Sequence, residues 1–192
     1  MTEAFEEPEL VIRARQRADE LGFAISSAPG VGRLLAVLAA AVPPKGRIIE
    51  LGTGSGVGVA WLVHGLGARA DVRVTSVDTD TRLLDAVHDG EWPEYVELVE
   101  GDGATVVRER APFDLIFADA PSGKVDGLEH TVAALAPGGV LVVDDMDPDL
   151  HADDGLLDAI ATVRRLVMTD PRLQAVDLAW SSGIIMATRR TA

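Results

Sequence analysis

The 192-residue sequence contains no cysteine. That excludes disulfides, thiolate zinc sites and cysteine nucleophiles together, and it fits a cytoplasmic protein. No apolar run reaches the length of a membrane span, because Arg, Asp or Pro interrupts each candidate. The start, Met1 to Pro8, is acidic, unlike the basic opening of a secretory signal. Basic residues are scarce: 17 Lys and Arg stand against 31 Asp and Glu, the net charge is −14, and no basic run exceeds two residues. Nucleic-acid binders carry a basic face, so long RNA or DNA is a poor partner and an anionic membrane surface a worse one. A small molecule, with or without a divalent cation, suits the charge better. Length and an ordinary profile, 47 % hydrophobic and 25 % charged, fit one globular domain.

What is present centres on Ile48-Ile49-Glu50-Leu51-Gly52-Thr53-Gly54-Ser55-Gly56-Val57-Gly58. A short apolar run ends in an acid, glycines alternate with other residues, and a helical pattern starts at Val57: strand, tight turn, helix. Glycine in such a turn tolerates positive φ and lets backbone approach a ligand. The free N–H groups of a helix start favour polar or anionic ligand groups. The dinucleotide fingerprint needs glycines at relative positions one, three and six. Frames opened at Gly52, Gly54 and Gly56 meet Val57, Val59 and Trp61 at the sixth place, so every frame fails. No lysine follows to make a phosphate loop.

Periodicity places helices over Leu10–Leu21 and Val31–Val42, the latter stopped by Pro43-Pro44. Strands and helices then alternate: strands at Arg47–Leu51, Val72–Val77, Tyr95–Glu100, Phe113–Ala118 and Val140–Val143, helices at Val57–Leu66, Thr81–His88, Ala104–Arg110, Leu128–Leu135 and Leu156–Met168. Leu173–Trp180 and Gly183–Thr188 form a closing hairpin around Ser181-Ser182-Gly183. This pattern predicts an α/β, Rossmann-like doubly wound sheet of about seven strands, mostly parallel with an antiparallel C-terminal hairpin strand. One domain spans 1–192, with 1–44 an N-terminal helical segment and 45–192 the core. In such sheets ligands sit outside the carboxyl ends of the strands. Glu50, Asp78, Asp102, Asp119 and Asp144 all fall there. Any one of them could be a helix cap; five on one rim point to a site.

Glu50-Leu51-Gly52-x-Gly54-x-Gly56 resembles the first motif of the class I S-adenosylmethionine-dependent methyltransferases. The resemblance implies that Glu50 and the loop Gly52, Thr53, Gly54, Ser55 and Gly56 face the methionine end of S-adenosyl-L-methionine. It puts Asp78, 26 residues after Gly52, on the ribose diol, and Asp102 with Gly103 at the adenine amino group; a turn aspartate is the plain alternative for Asp102. Phe113–Ala120 and Pro137–Asp145 are further similar to the bacterial catechol-type, cation-dependent O-methyltransferases. That family implies a Mg²⁺ or other divalent cation at Asp119, Asp144 and Asp145, with Asp119 also serving cofactor and catalysis. Here the pair after the fifth strand is Asp-Asp where the family has Asp-Asn. A third carboxylate could tighten binding or favour Ca²⁺ or Mn²⁺, and an acidic, solvated loop is the alternative for residues 144–154. The family's catalytic lysine has a counterpart two residues displaced, Lys124, and Ser26, Ser27 and Gly30 align loosely with a segment that closes over the cofactor.

Other chemistry is thin. No histidines stand at metal spacing i, i+4, and only His151 lies near the rim. Ser122 lacks the glycine elbow of a hydrolase nucleophile. Trp61 suits core packing; Trp180 suits packing, the substrate site or an interface. The expected activity is O-methylation of a small-molecule acceptor, without membrane or nucleic acid, with a homodimer left open. Alternatives are a metal-independent N- or tRNA-methyltransferase, a non-catalytic binder of S-adenosylmethionine, and, from another class, an NAD dehydrogenase.

Overall fold

Apolar, β-branched runs too short for helices become the central strands. The computed structural model of the protein describes residues 6–151 and 153–191. Residues 1–5 of the acidic start, residue 152 of the acidic loop and residue 192 lie outside the described residues. Helices α1 (Glu9–Leu21) and α2 (Pro29–Ala41) precede β1 (Arg47–Leu51) and α3 (Val57–Leu66). Next come β2 (Arg73–Asp78), α4 (Thr81–His88), β3 (Val96–Glu100), α5 (Gly103–Glu109) and β4 (Phe113–Ala118). A single irregular turn, α6 (Pro121–Lys124), leads to α7 (Leu128–Ala133), β5 (Leu135–Val143), α8 (Asp154–Thr169), β6 (Leu173–Leu178) and β7 (Ile184–Arg189).

The sheet order is β3-β2-β1-β4-β5-β7-β6. Strands β1 to β5 pair in parallel, and β7 is antiparallel to both β5 and β6. The expected doubly wound sheet and its antiparallel hairpin are therefore present. Alternation along the strands divides the core. Ile48, Leu115 and Phe117 join α1–α3 on one face, while Ile49, Ile116 and Ala118 join α5, α7 and α8 on the other. Trp61 is fully buried on the first face, as its sequence context suggested. There α2 and α3 pack through Gly32 and Gly65. A Cβ on Gly32 would lie 2.1 Å from Trp61 Nε1, and one on Gly65 2.1 Å from the Ala36 carbonyl oxygen.

The order reverses between β1 and β4, the place where such sheets open a crevice. Register fixes what stands on its rim. Leu51 pairs with both Val77 and Ala118, and Ala118 with Val143. The next residues, Gly52, Asp78, Asp119 and Asp144, therefore leave the sheet at one level.

Most boundaries lie within two residues of the sequence expectation, and the largest difference falls between α7 and β5. The helix placed over Leu128–Leu135 ends at Ala133, and β5 begins at Leu135, five residues before Val140. Phe113 pairs with Leu135, then the register shifts before Leu115 meets Val140. Pro137 lacks a donor and Gly138 takes φ 79°, so the sequence there reads as a turn although the strand continues through a bulge. The turn α6 is too short to show any helical period.

Candidate active site

Gly52, Gly54 and Gly56 take φ of 107°, 52° and 87°. Side-chain-bearing residues would be strained at all three, so the alternating glycines are required by this turn. Its anchors come from β2. The Gly52 and Thr53 amides donate to the Val77 carbonyl (2.9 and 3.1 Å), and the Gly54 amide donates to Asp78 Oδ2 at 2.9 Å. The Asp80 amide donates to Asp78 Oδ1 at 3.0 Å.

Glu50 supports the turn from inside. It is 1 % exposed and is the register partner of Ser76, whose hydroxyl donates to Glu50 Oε2 at 2.5 Å and lies 2.7 Å from Thr53 Oγ1. A Cβ on Gly58 would sit 1.9 Å from Glu50 Oε1, so the fourth glycine of the run admits this carboxylate beneath α3. Burial pushes the Glu50 pKa up to about 8; the charge of Asp78 adds to the rise and the Ser76 hydrogen bond opposes it. Below about pH 4.5 the folded and unfolded chains both hold this proton, and between there and about 8 only the folded chain does. Stability should therefore fall as pH rises through that window. Glu50→Gln keeps an acceptor for Ser76 without the charge. We expect its melting temperature to fall less than the parent's between about pH 5 and about pH 8, and equal falls would contradict the assignment.

The segment between α1 and α2 crosses the turn. A Cβ on Gly54 would lie 2.9 Å from the Phe23 ring, Ser26 Oγ is 3.3 Å from Ser55 Oγ, and Ser27 Oγ makes a long 3.5 Å contact with Asp119 Oδ2. Arg17 of α1 donates to the Ser55 carbonyl at 2.7 Å. Gly30, the third residue of the loose alignment, packs on Trp180 instead.

Across the rim, carboxylate oxygens of Asp119, Asp144 and Asp145 lie within 4.8 Å of one another. Asp144 Oδ1 accepts the Asp145 amide at 2.7 Å and the Ser182 hydroxyl. Asp145 takes φ 57°, a conformation Asp tolerates better than most residues. Lys124, buried, donates to the Asp144 carbonyl at 3.2 Å and faces Asp145 Oδ2 at 3.4 Å. Gly123, at φ 90°, turns the chain that delivers it. His151 Nε2 is 3.1 Å from the Asp145 carbonyl. Burial, and after it the charges of Asp144 and Asp145, hold Asp119 well above the usual carboxylate range. Asp144 is raised too, by burial against the Ser182 hydrogen bond. Three convergent hard oxygens, two of them on the largely buried Asp119 and Asp144, are a donor set that fits a divalent cation.

Both halves open into one cavity of about 720 Å³, a volume usual for a small-molecule site. Gly52, Gly54, Asp78, Asp119, Lys124, Asp144 and Asp145 line it. Glu50, Thr53, Ser55, Gly56, Asp102 and Gly103 are not in its wall. Asp102 caps α5 through the Thr105 amide (2.9 Å) and accepts the Ser122 hydroxyl at 2.5 Å. Gly103 lets that turn approach, since its Cβ would lie 2.8 Å from the Ser122 carbonyl.

Residues 49–146, from β1 through the loop after β5, match the family model described as a methyltransferase domain. A candidate O-methyltransferase of Mycobacterium sp. (strain JLS) is 31 % identical over 200 residues, covering 97 % of this chain and 89 % of that protein. The chain belongs to the methyltransferase family. Solved structures agree on the fold. An O-methyltransferase from Bacillus cereus in complex with SAH superimposes at TM-score 0.83 and 22 % identity, over 97 % of this methyltransferase and 93 % of that chain. The O-methyltransferase TomG from Streptomyces achromogenes, involved in tomaymycin synthesis and in complex with SAM, gives 0.78 and 22 %, over 97 % and 92 %.

Several wall residues of this methyltransferase carry no motif. Phe23 and Ile25 come from a segment that reads as a break between helices, and Ser182 from a hairpin turn. Leu156, Ala159, Ile160 and Val163 recur at helical spacing, which marks an apolar stripe without saying what it faces. Trp180 is 48 % exposed and absent from the wall, and His151 is in it.

Proposed function

We propose that this methyltransferase moves the methyl group of S-adenosylmethionine to a hydroxyl oxygen of a small-molecule acceptor, with a divalent cation at Asp119, Asp144 and Asp145. The observation that carries this is the opening of the glycine turn and the three-carboxylate cluster into one cavity. Bound S-adenosylmethionine supplies an electrophilic methyl on a sulfonium. A cation in the cluster would lower the pKa of the acceptor hydroxyl and orient it. The chain does the rest. The turn and Asp78 hold the nucleoside, with Asp102 and Gly103 toward the adenine and Glu50 stiffening the turn at the methionine end. Asp119 stands between the two halves and aligns donor with acceptor, and the cavity walls exclude water from a displacement that depends chiefly on alignment. Lys124 restrains Asp145 and partly balances the cluster's charge. The same reading takes the protein as cytoplasmic and leaves a homodimer open.

A second reading, metal-independent transfer, is favoured by Lys124 itself, an internal cation already seated on the cluster. Transfer of labelled methyl to a panel of hydroxyl acceptors, with chelator and then with Mg²⁺ or Mn²⁺ restored, decides between them. Loss and recovery supports the metal; full activity in chelator removes it. No transfer to any oxygen acceptor would overturn O-methylation.

Asp78→Ala tests the nucleoside half. It removes a carboxylate from the cavity wall and the acceptor of the Gly54 amide together. We expect S-adenosylhomocysteine to bind at least about tenfold more weakly by calorimetry, near 1.4 kcal/mol. Unchanged affinity would count against Asp78 as the ribose partner.

A further inference from the structure

The two ends of the cavity differ in chemistry. At one end stand backbone of the glycine turn and Asp78; the other runs along α8, where Leu156, Ala159, Ile160 and Val163 line it. Their spacing, i, i+3, i+4, i+7, is a single helical stripe. Ile25 and Met146 extend the apolar surface. Arg164 secures the helix: Nη2 donates to the Met146 carbonyl at 2.5 Å and Nε pairs with Asp177 at 2.5 Å. The guanidinium beside this wall is thus already engaged.

The charges around the cavity have one dominant sign. Asp78, Asp119, Asp144 and Asp145 stand against Lys124, which is already paired with Asp145. His151 is turned to the Asp145 carbonyl, and no arginine lines the cavity among the described residues. A divalent cation at the three carboxylates would be balanced by them, and the donor's sulfonium belongs to the reacting centre, so no cationic side chain is left for an anionic substituent on the acceptor body. In a site of low dielectric an unmatched negative group is strongly disfavoured.

Resting on the function proposed above, the geometry points to a substrate class: a hydroxyl compound whose body is apolar and uncharged, seated against the α8 stripe with its hydroxyl toward the carboxylates. Acceptors bearing a carboxylate, sulfate or phosphate are excluded. Leu156 and Ala159 are the specificity-determining residues, Leu156 at the partly exposed end of the stripe and Ala159 where a larger side chain would fill the wall.

The test uses the full-length enzyme and a matched pair of acceptors, one catechol ring carrying a methyl ester and the same ring carrying the free carboxylate. Calorimetry with S-adenosylhomocysteine comes first; no binding there overturns the proposed function itself. With binding established, kcat/KM for the ester is expected to exceed that for the acid by at least about tenfold at neutral pH. Leu156→Arg, which brings a cation to the wall, should lower that ratio at least about fivefold with S-adenosylhomocysteine affinity unchanged. Ala159→Phe should raise KM for the ester about tenfold, again without touching cofactor affinity. Equal use of ester and acid overturns the assignment. So does an unmoved ratio in Leu156→Arg or an unmoved KM in Ala159→Phe. Neither ring binding to the S-adenosylhomocysteine complex, with neither methylated, overturns it as well.

Discussion

Asp119→Ala is expected to lower kcat by about a thousandfold, roughly 4 kcal/mol of barrier, while the protein stays folded. Asp119 leaves the sheet at the β1–β4 switch point, touches Ser27 of the crossing segment, and places an oxygen within 4.8 Å of those of Asp144 and Asp145. It is the side chain common to the nucleoside and acceptor halves. Its loss therefore removes an aligning contact and a cation ligand together, and misalignment of a displacement is costly. Folding should not suffer, because a buried carboxylate beside two others is held at raised pKa by burial and repulsion, and alanine relieves both. Steady-state rates with saturating donor, beside a thermal melt, give the answer. Residual activity within tenfold of the parent would remove Asp119 from the chemistry, and turnover by the parent enzyme that persists in chelator would remove the metal from it.

Gly65→Ala should destabilise the fold by about 3 kcal/mol, lowering the melting temperature by roughly 6–12 °C for a chain of this length. Helix propensity alone predicts the opposite sign, a gain of about 1 kcal/mol for Ala over Gly in a helix interior. Packing wins because the new Cβ would sit 2.1 Å from the Ala36 carbonyl oxygen and 2.5 Å from Ala36 Cα. Those are backbone atoms of α2, so the helices must part. Gly32→Ala is a useful companion. Its Cβ would meet the fully buried Trp61 indole at 2.1–2.4 Å, so it should destabilise the same packing from the other helix. A Gly65→Ala melt within about 2 °C of the parent would show that α2 and α3 are not packed this closely.

Much of this was legible in the chain. The strands ending in Leu51, Ala118 and Val143 have short apolar runs that period and length identify, and once they are parallel neighbours the register dictates that Gly52, Asp119 and Asp144 share a rim. The glycine turn was legible because only glycine suits three positive φ values within five residues. What was not legible depends on three-dimensional neighbours. Glu50 reads from the sequence as a ligand-facing acid; it lies under α3 because Gly58 leaves room and Ser76, its register partner, supplies a hydrogen bond. Asp102 satisfies the plain expectation of a helix cap and bonds Ser122 besides. Lys124 falls beside Asp144 and Asp145 despite its two-residue displacement, because Gly123 bends the turn, a feature no periodicity records. The acceptor wall on α8 looks like any amphipathic helix until the sheet order places it beside Met146 and the carboxylates.

The most direct measurement is anomalous diffraction from a crystal soaked with Mn²⁺ and S-adenosylhomocysteine. A nucleoside lying over Gly52–Gly56 and Asp78, with a manganese peak about 2.0–2.6 Å from oxygens of Asp119, Asp144 and Asp145, is the predicted result. A nucleoside bound elsewhere, or a nicotinamide nucleotide taking that place where S-adenosylhomocysteine does not, would contradict it; a bound nucleoside without the metal peak would leave the transfer to Lys124 and the carboxylates alone.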